Sequence, residues 1–427
     1  MNIFLKKTST FLFFLLLMLC HRTGYSFPDV ISDTILDNQL QTILFYQSGK
    51  INSYPFIDIN KPDMSLTLAF DDMSGGYKSF EYQIVYCNFD WTVSELFPDQ
   101  YLTGPDYGYI ENYNFSINTY IRYTNYYVSF PSRGTWFKLT GNYALMVFPA
   151  GKKDQPVIIR RFYVVSSSVK VTAEVLRASQ ARFKAGKQEI DFEVDYQGLD
   201  VANPLLDFKV SITQNKRQDN VITHLQPMFV RNNVLIYDYD EENLFDGLSE
   251  WRFIDLRPQK FPGQGVHKIV LDSFFRYYLL TDEDRSYLDY AEWSDINGER
   301  IIAGETRNLR MNEIDYVKVF FRLSTPYPKD EEIYLFGALS DWKIDPRFKL
   351  HYVPEKQLYM TDIFLKQGYY NYYYVIKDPA SGKADCFRFQ GSHYETENDY
   401  LILVYMRSRF YNNWEIVGYS VVNSRIY

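Results

Sequence analysis

The sequence is poor in the residues that most often carry chemistry. It has three cysteines in 427 residues, and Cys20 falls in a leader described below. A framework of paired cysteines, the staple of small secreted domains, is therefore excluded. Cys87 and Cys386 are expected as two buried strand thiols, because a free thiol packs like a small hydrophobe. Histidine is equally scarce. His21 lies in the leader, and His224, His267, His351 and His393 are scattered without the paired spacing of zinc ligands, so no metal site is expected. The chain has no Gly-x-Ser-x-Gly elbow and no glycine-rich phosphate loop. Asp71-Asp72 and Asp282-Glu283-Asp284 are carboxylate clusters that acid/base work could use, but solvated loops of an acidic protein hold such runs anyway. Positive charge is in deficit too. Lys and Arg number 45 against 53 Asp and Glu, and Lys6, Lys7 and Arg22 belong to the leader. Phosphate contacts need the opposite balance, so nucleic acid is excluded as a partner. These absences predict a protein that is not an enzyme, with no cofactor and no small-molecule substrate.

Long apolar runs are also missing, apart from Phe11 to Leu19 behind Lys6 and Lys7. That run is shorter than the roughly 20 residues of a membrane span. With the small-x-small pattern at Gly24-Tyr25-Ser26 it predicts a secretory signal peptide over 1–26. Leu19 is not the small residue that a lipoprotein site wants before Cys20, so lipidation there is not expected. The mature protein is expected to be exported and not integral to a membrane.

What the chain has in abundance is aromatic residues in alternating runs. Tyr alone occurs 39 times, which suits strands, where aromatic cross-strand pairs stabilise a sheet. Apolar and polar residues alternate over Leu66 to Asp72, Phe80 to Trp91, Tyr123 to Pro131 and Gly141 to Phe148, with Gly, Pro, Asn and Asp between. Period two with this punctuation predicts antiparallel strands with one buried face. Ile35 to Phe45 is expected to open the first domain and Val157 to Val165 to close it. Between Phe97 and Tyr113 the alternation fails, predicting a long loop of the kind that is more often functional than decorative. The fold class is therefore all-β, as tandem immunoglobulin-like or early-set β-sandwiches. The predicted division is 27–166, 167–280 (with Glu250 to Arg257 among its last strands) and 281–427. In the third domain Asn297-Gly298 predicts a type I′ hairpin turn, and the oxygen ladder of a calcium loop is absent.

Two resemblances go beyond pattern. Gly337 to Trp342, followed by Gly368-Tyr369-Tyr370-Asn371-Tyr372, resembles glycogen- and starch-binding modules. That resemblance implies an alternative function, a secreted carbohydrate-binding protein in which Trp342 and Tyr372 stack on sugar rings. The same two residues could instead simply hold an early-set sandwich together. The wider resemblance rests on Phe70-Asp71-Asp72, Cys87-Asn88-Phe89-Asp90-Trp91, Ser116-Ile117-Asn118-Thr119, Tyr123-Thr124-Asn125-Tyr126, Gly141-Asn142-Tyr143 and Arg160-Arg161-Phe162. Phe274 to Tyr278 and Asp295 to Gly298 continue it. In this order and spacing the chain resembles the plug protein family of the type IX secretion system over nearly all of its mature length. The resemblance implies a non-enzymatic periplasmic protein, associated with the outer membrane, that binds the translocon barrel and closes its periplasmic mouth. For the contact itself our reading of the residues nominates the irregular loop, with Tyr101, Tyr107, Tyr109 and Tyr113; packing of these tyrosines within their own loop is the competing reading.

Overall fold

Side chains that alternate along a strand can bury only one face, so sheets of this kind pair into sandwiches. The chain does this three times in the computed structural model, which describes residues 29–132, 134–306, 308–326 and 331–425. The expected signal peptide and Cys20 lie outside the described residues. The first sandwich sets the sheet Thr34–Ile35, Ile158–Val165, Gly141–Pro149, Phe80–Cys87, Tyr107–Ile110 over the sheet Leu40–Gln47, Leu66–Asp72, Thr124–Phe130, Asn112–Phe115. Phe56–Asp58 runs parallel to Ile158–Val165. The core between them is rich in aromatics, with Phe70, Tyr82, Tyr126, Phe130, Tyr143 and Phe162 buried together.

The single opening strand expected over Ile35 to Phe45 is two strands in different sheets. Asp37 breaks it. Its backbone carbonyl accepts the Leu40 N–H at 3.0 Å and its carboxylate accepts the Gln39 N–H at 2.9 Å, the local bonding by which Asp turns a chain.

The second and third sandwiches are not consecutive in the chain, and the strand pairing cuts across the division expected at 280. The second sets Lys170–Arg177, Lys187–Asp195, Val234–Tyr237 and Phe229–Arg231 over Phe208–Gln214, Asp399–Arg407 and Trp414–Asn423, so its last two strands come from the C-terminal end of the chain. The third is built from the residues between. Arg252–Asp255, expected in the second domain, pairs instead with Gly368–Lys377 in a sheet with Arg300–Ile302 and Ile333–Phe336. The facing sheet runs Val266–Leu271, Phe275–Leu279, Tyr316–Ser324, Leu358–Lys366, His351–Val353. Asn297-Gly298 does make a type I′ turn, with φ of 52° and 80°, closed by the Glu299 N–H on the Ile296 carbonyl at 3.0 Å. It joins no hairpin, because the residues directly before it, 284–296, form no strand. Gly298 is required for space as well as for φ: a Cβ there would lie 2.4 Å from the Trp342 ring and 2.7 Å from Trp251.

Asp399–Arg407 explains how the first two sandwiches meet. Tyr400, Ile402 and Val404 enter the core of the second sandwich. Leu401, Leu403 and Tyr405 point the other way, onto Tyr54, Phe56, Tyr163 and Val165 of the first. A strand buried on both faces has no polar alternation to show, and this one is apolar from Leu401 to Val404. Both later cysteines are free and buried as expected, Cys87 within a strand and Cys386 just after one. Burial pushes both thiols up to about 12, which makes them inert.

Candidate functional site

The stretch expected as an irregular loop is mostly regular. Pro98–Tyr101 is a single helical turn, Tyr107–Ile110 is the edge strand of one sheet, and Asn112–Phe115 is the edge strand of the other. The chain therefore changes sheets at Glu111 and forms both rims of one open side of the first sandwich. The hydrophobic alternation is hidden by Gly108, which takes an inward position opposite Tyr82. A Cβ there would come within 2.6 Å of the Tyr82 ring hydroxyl, so a core position carries no apolar side chain to be read.

The four nominated tyrosines divide accordingly. Tyr101 is only 4 % exposed. Its hydroxyl donates to the Ile84 carbonyl at 3.3 Å and its ring stacks 5.6 Å from Tyr86, so it is a core residue and is withdrawn as a contact. Tyr107 and Tyr109 stand outward at 49 % and 55 % exposure, Tyr107 under the Lys153 ammonium. Tyr113 is 39 % exposed. It extends the inner face past the cover of the opposite sheet, 5.9 Å from buried Tyr126, 4.8 Å from Tyr77 and 5.5 Å from Phe115. Tyr77 and Phe115 are exposed as well and were missed by the sequence reading. Tyr77 sits in a Gly-rich turn, and Phe115 reads as the end of a polar segment. The result is one connected aromatic cluster on the rim, Tyr77-Tyr113-Phe115, with Tyr107 and Tyr109 on the adjoining edge.

The other candidates are engaged within the protein. Tyr372 is buried, its hydroxyl donating to Asp282 at 2.7 Å. Trp342 packs T-shaped against Trp251 and Phe336 at 5.4 and 5.9 Å. Both residues pack within the sandwich, and Tyr372 offers no free ring face. Asp282 also holds Arg252 and Tyr374, and Asp72 pairs with Lys78 at 2.9 Å.

Asp71 lies at an inter-sandwich seam. Its carboxylate pairs with Lys366 of the third sandwich at 2.6 Å, each side chain 1 % exposed, and accepts Tyr316 and Asn125, each at 2.7 Å. The Lys366 ammonium also lies 4.2 Å over the Tyr123 ring. Burial pulls it below the ordinary lysine range, against the pull of Asp71. The Ser116 to Tyr123 stretch docks on the same sandwich. Asp315 accepts the Tyr120 and Ile121 N–H groups at 2.8 and 3.1 Å, Asn312 accepts Ile117 at 2.9 Å, and Tyr123 donates to the Ile314 carbonyl at 2.6 Å. Several of the motif residues quoted above are thus inter-sandwich contacts. Among the described residues one trio of acids, Glu189, Asp191 and Asp238, comes within metal-ligand range. Two of its members are already bonded, Glu189 to Ser179 and Asp191 to Asn243.

The first sandwich, with its aromatic rim, is the part of the chain that comparison identifies. Residues 40–166 match the family model of the type 9 secretion system plug protein first domain. That stretch, under a third of the chain, resembles the first domain of the plug protein of type IX secretion. The match ends at Ser166, just after the strand Ile158–Val165. A crystal structure of a hypothetical protein from Parabacteroides merdae has the same fold well beyond that domain. It is 29% identical with a TM-score of 0.88, over 92% of this chain and 99% of that one. A comparison with curated proteins gave no match. No described helix is long and apolar enough to cross a membrane.

Proposed function

We propose that this protein is a periplasmic plug, a non-enzymatic body that binds the outer-membrane translocon of type IX secretion and occludes its periplasmic mouth. The observation that carries the reading is the aromatic rim of the plug-family domain. Tyr77, Tyr107, Tyr109, Tyr113 and Phe115 stand exposed at the rim of a sandwich that packs elsewhere on the two others. A wide water-filled pore needs a folded body to close it. The contact must hold and still release, which suits tyrosine: it supplies contact area while its hydroxyl keeps the free surface soluble. Rigidity comes from the seams, where Asp71–Lys366 and the Asp399–Arg407 strand tie the sandwiches together.

The test is co-purification of the barrel from detergent-solubilised outer membranes on the tagged protein. The variant Tyr77→Ala/Tyr113→Ala/Phe115→Ala removes side chains that are exposed, so its melting temperature should change little. Buried aromatic anchors of an interface each contribute about 2 kcal/mol or more, so recovery of the barrel should fall at least tenfold. Undiminished recovery by the triple variant would place the contact elsewhere.

A further inference from the structure

The strand Lys187–Asp195 gathers acids on one of its faces. Ile190, Phe192 and Val194 enter the core of the second sandwich, so Glu189 and Asp191 alternate to the other side. Glu174 stands opposite Asp191 on the neighbouring strand. Asp238 lies across from it on the other flank, one step past the paired Tyr237 and Phe192. Residues 238–243 then leave the sheet, and Leu244–Asp246 returns to the same strand at Glu189. Glu189, Asp191 and Asp238 each bring a carboxylate oxygen within 4.8 Å of the other two. Glu189 is also buried. Like charges set side by side on a sheet repel, and among the described residues no Lys or Arg forms an ion pair with any of the three.

A second feature is independent of charge. Asn243 has no exposed surface and turns its amide to the trio, its Nδ2 donating to Asp191 Oδ1 and to the Ile190 carbonyl, each at 2.9 Å. The Oδ1 of the same amide is buried and has no partner. A buried acceptor left unmatched is costly, and native proteins rarely keep one without a use for it. The acids keep oxygens in reserve as well. Ser179 donates its N–H and hydroxyl to the same oxygen of Glu189, at 2.9 and 2.6 Å, and Asn243 engages one oxygen of Asp191. We propose that Glu189, Asp191 and Asp238 bind a calcium ion, with the Asn243 amide oxygen as its neutral neighbour. A donor set of oxygens without His or Cys suits calcium and not zinc. Calcium takes its ligands at about 2.3–2.6 Å in flexible geometry, and Asp238, which is exposed, is free to turn onto the ion. The ion offsets the crowded charge and fastens residues 238–243 to the strand. This inference does not depend on the plug reading, since the trio lies on the second sandwich and not on the rim.

The probe is calcium chloride, titrated by calorimetry into the full mature chain after treatment with EGTA and its removal, with melting curves recorded with and without the ion. Calcium should bind with a Kd of about 1 mM or tighter, the range of extracellular calcium modules, and should raise the melting temperature. Asp191→Asn keeps an acceptor for Asn243 and relieves the crowding of charge. In EGTA it should therefore melt no lower than the wild type, while its calcium affinity falls about tenfold or more. Asp238→Asn should lose affinity in the same way. Asp240→Asn, which removes an exposed acid of the same segment outside the trio, should not. Any of three results overturns the proposal: no calcium binding up to ~10 mM, unchanged affinity in Asp191→Asn or Asp238→Asn, or an equal loss in Asp240→Asn.

Discussion

Asp71 and Lys366 show how much of this protein depends on single buried groups. Their ion pair is shut away from water between two sandwiches, with Tyr316, Asn125 and the Tyr123 ring completing its surroundings. Removing one partner leaves the other charge buried and uncompensated, which costs about 3–5 kcal/mol. Lys366→Met should therefore lower unfolding stability by about that much in a urea titration, and adding Asp71→Asn should restore a large part of it. A loss under about 1 kcal/mol would mean that water reaches the pair. The Phe70-Asp71-Asp72 motif was legible in the sequence and its role was not. The partner lies 295 residues away, and nothing in a local pattern distinguishes a buried carboxylate from a solvated one. The same holds among the tyrosines. Tyr101 and Tyr107 read alike as letters, and only the helical turn that buries the one and the edge strand that presents the other separate them.

At the scale of elements, the strands bounded by turn residues were the legible ones. Leu66–Asp72, Phe80–Cys87 and Gly141–Pro149 begin and end within a few residues of where the sequence places them, although nearly all their side chains are buried. What a local pattern does not show is which sandwiches a buried strand joins. Asp399–Arg407 lies between Phe208–Gln214 and Trp414–Asn423, with both sides covered, so the strand that closes the second sandwich reads as an undivided apolar run. Its position predicts the outcome of a truncation. A chain ending at Asn398 keeps every residue of 167–280 yet strips Phe208–Gln214 of its neighbour and bares the Tyr54–Val165 surface. It should be recovered as aggregate instead of monomer by size-exclusion chromatography. A folded, monodisperse product would show that the second sandwich closes without it. The rim failed to read for a related reason. Gly108 occupies a core position without a side chain, and the two edge strands are short, so the stretch looks irregular although both strands are paired.

For the molecule as a whole, the three sandwiches form one body with apolar and ionic seams. Cys87 and Cys386 are inert, and the carboxylate clusters nominated for acid/base work are largely engaged in ion pairs and turns. The first sandwich presents an exposed aromatic rim. Such a body acts by occupying space and by letting go. The most direct test is the permeability of the outer membrane to a normally excluded solute in cells from which the gene has been deleted. The account predicts increased entry of the solute with secretion largely intact. Entry should be reversed by the wild-type protein and not by Tyr77→Ala/Tyr113→Ala/Phe115→Ala. An unchanged barrier in the deletion strain would contradict it.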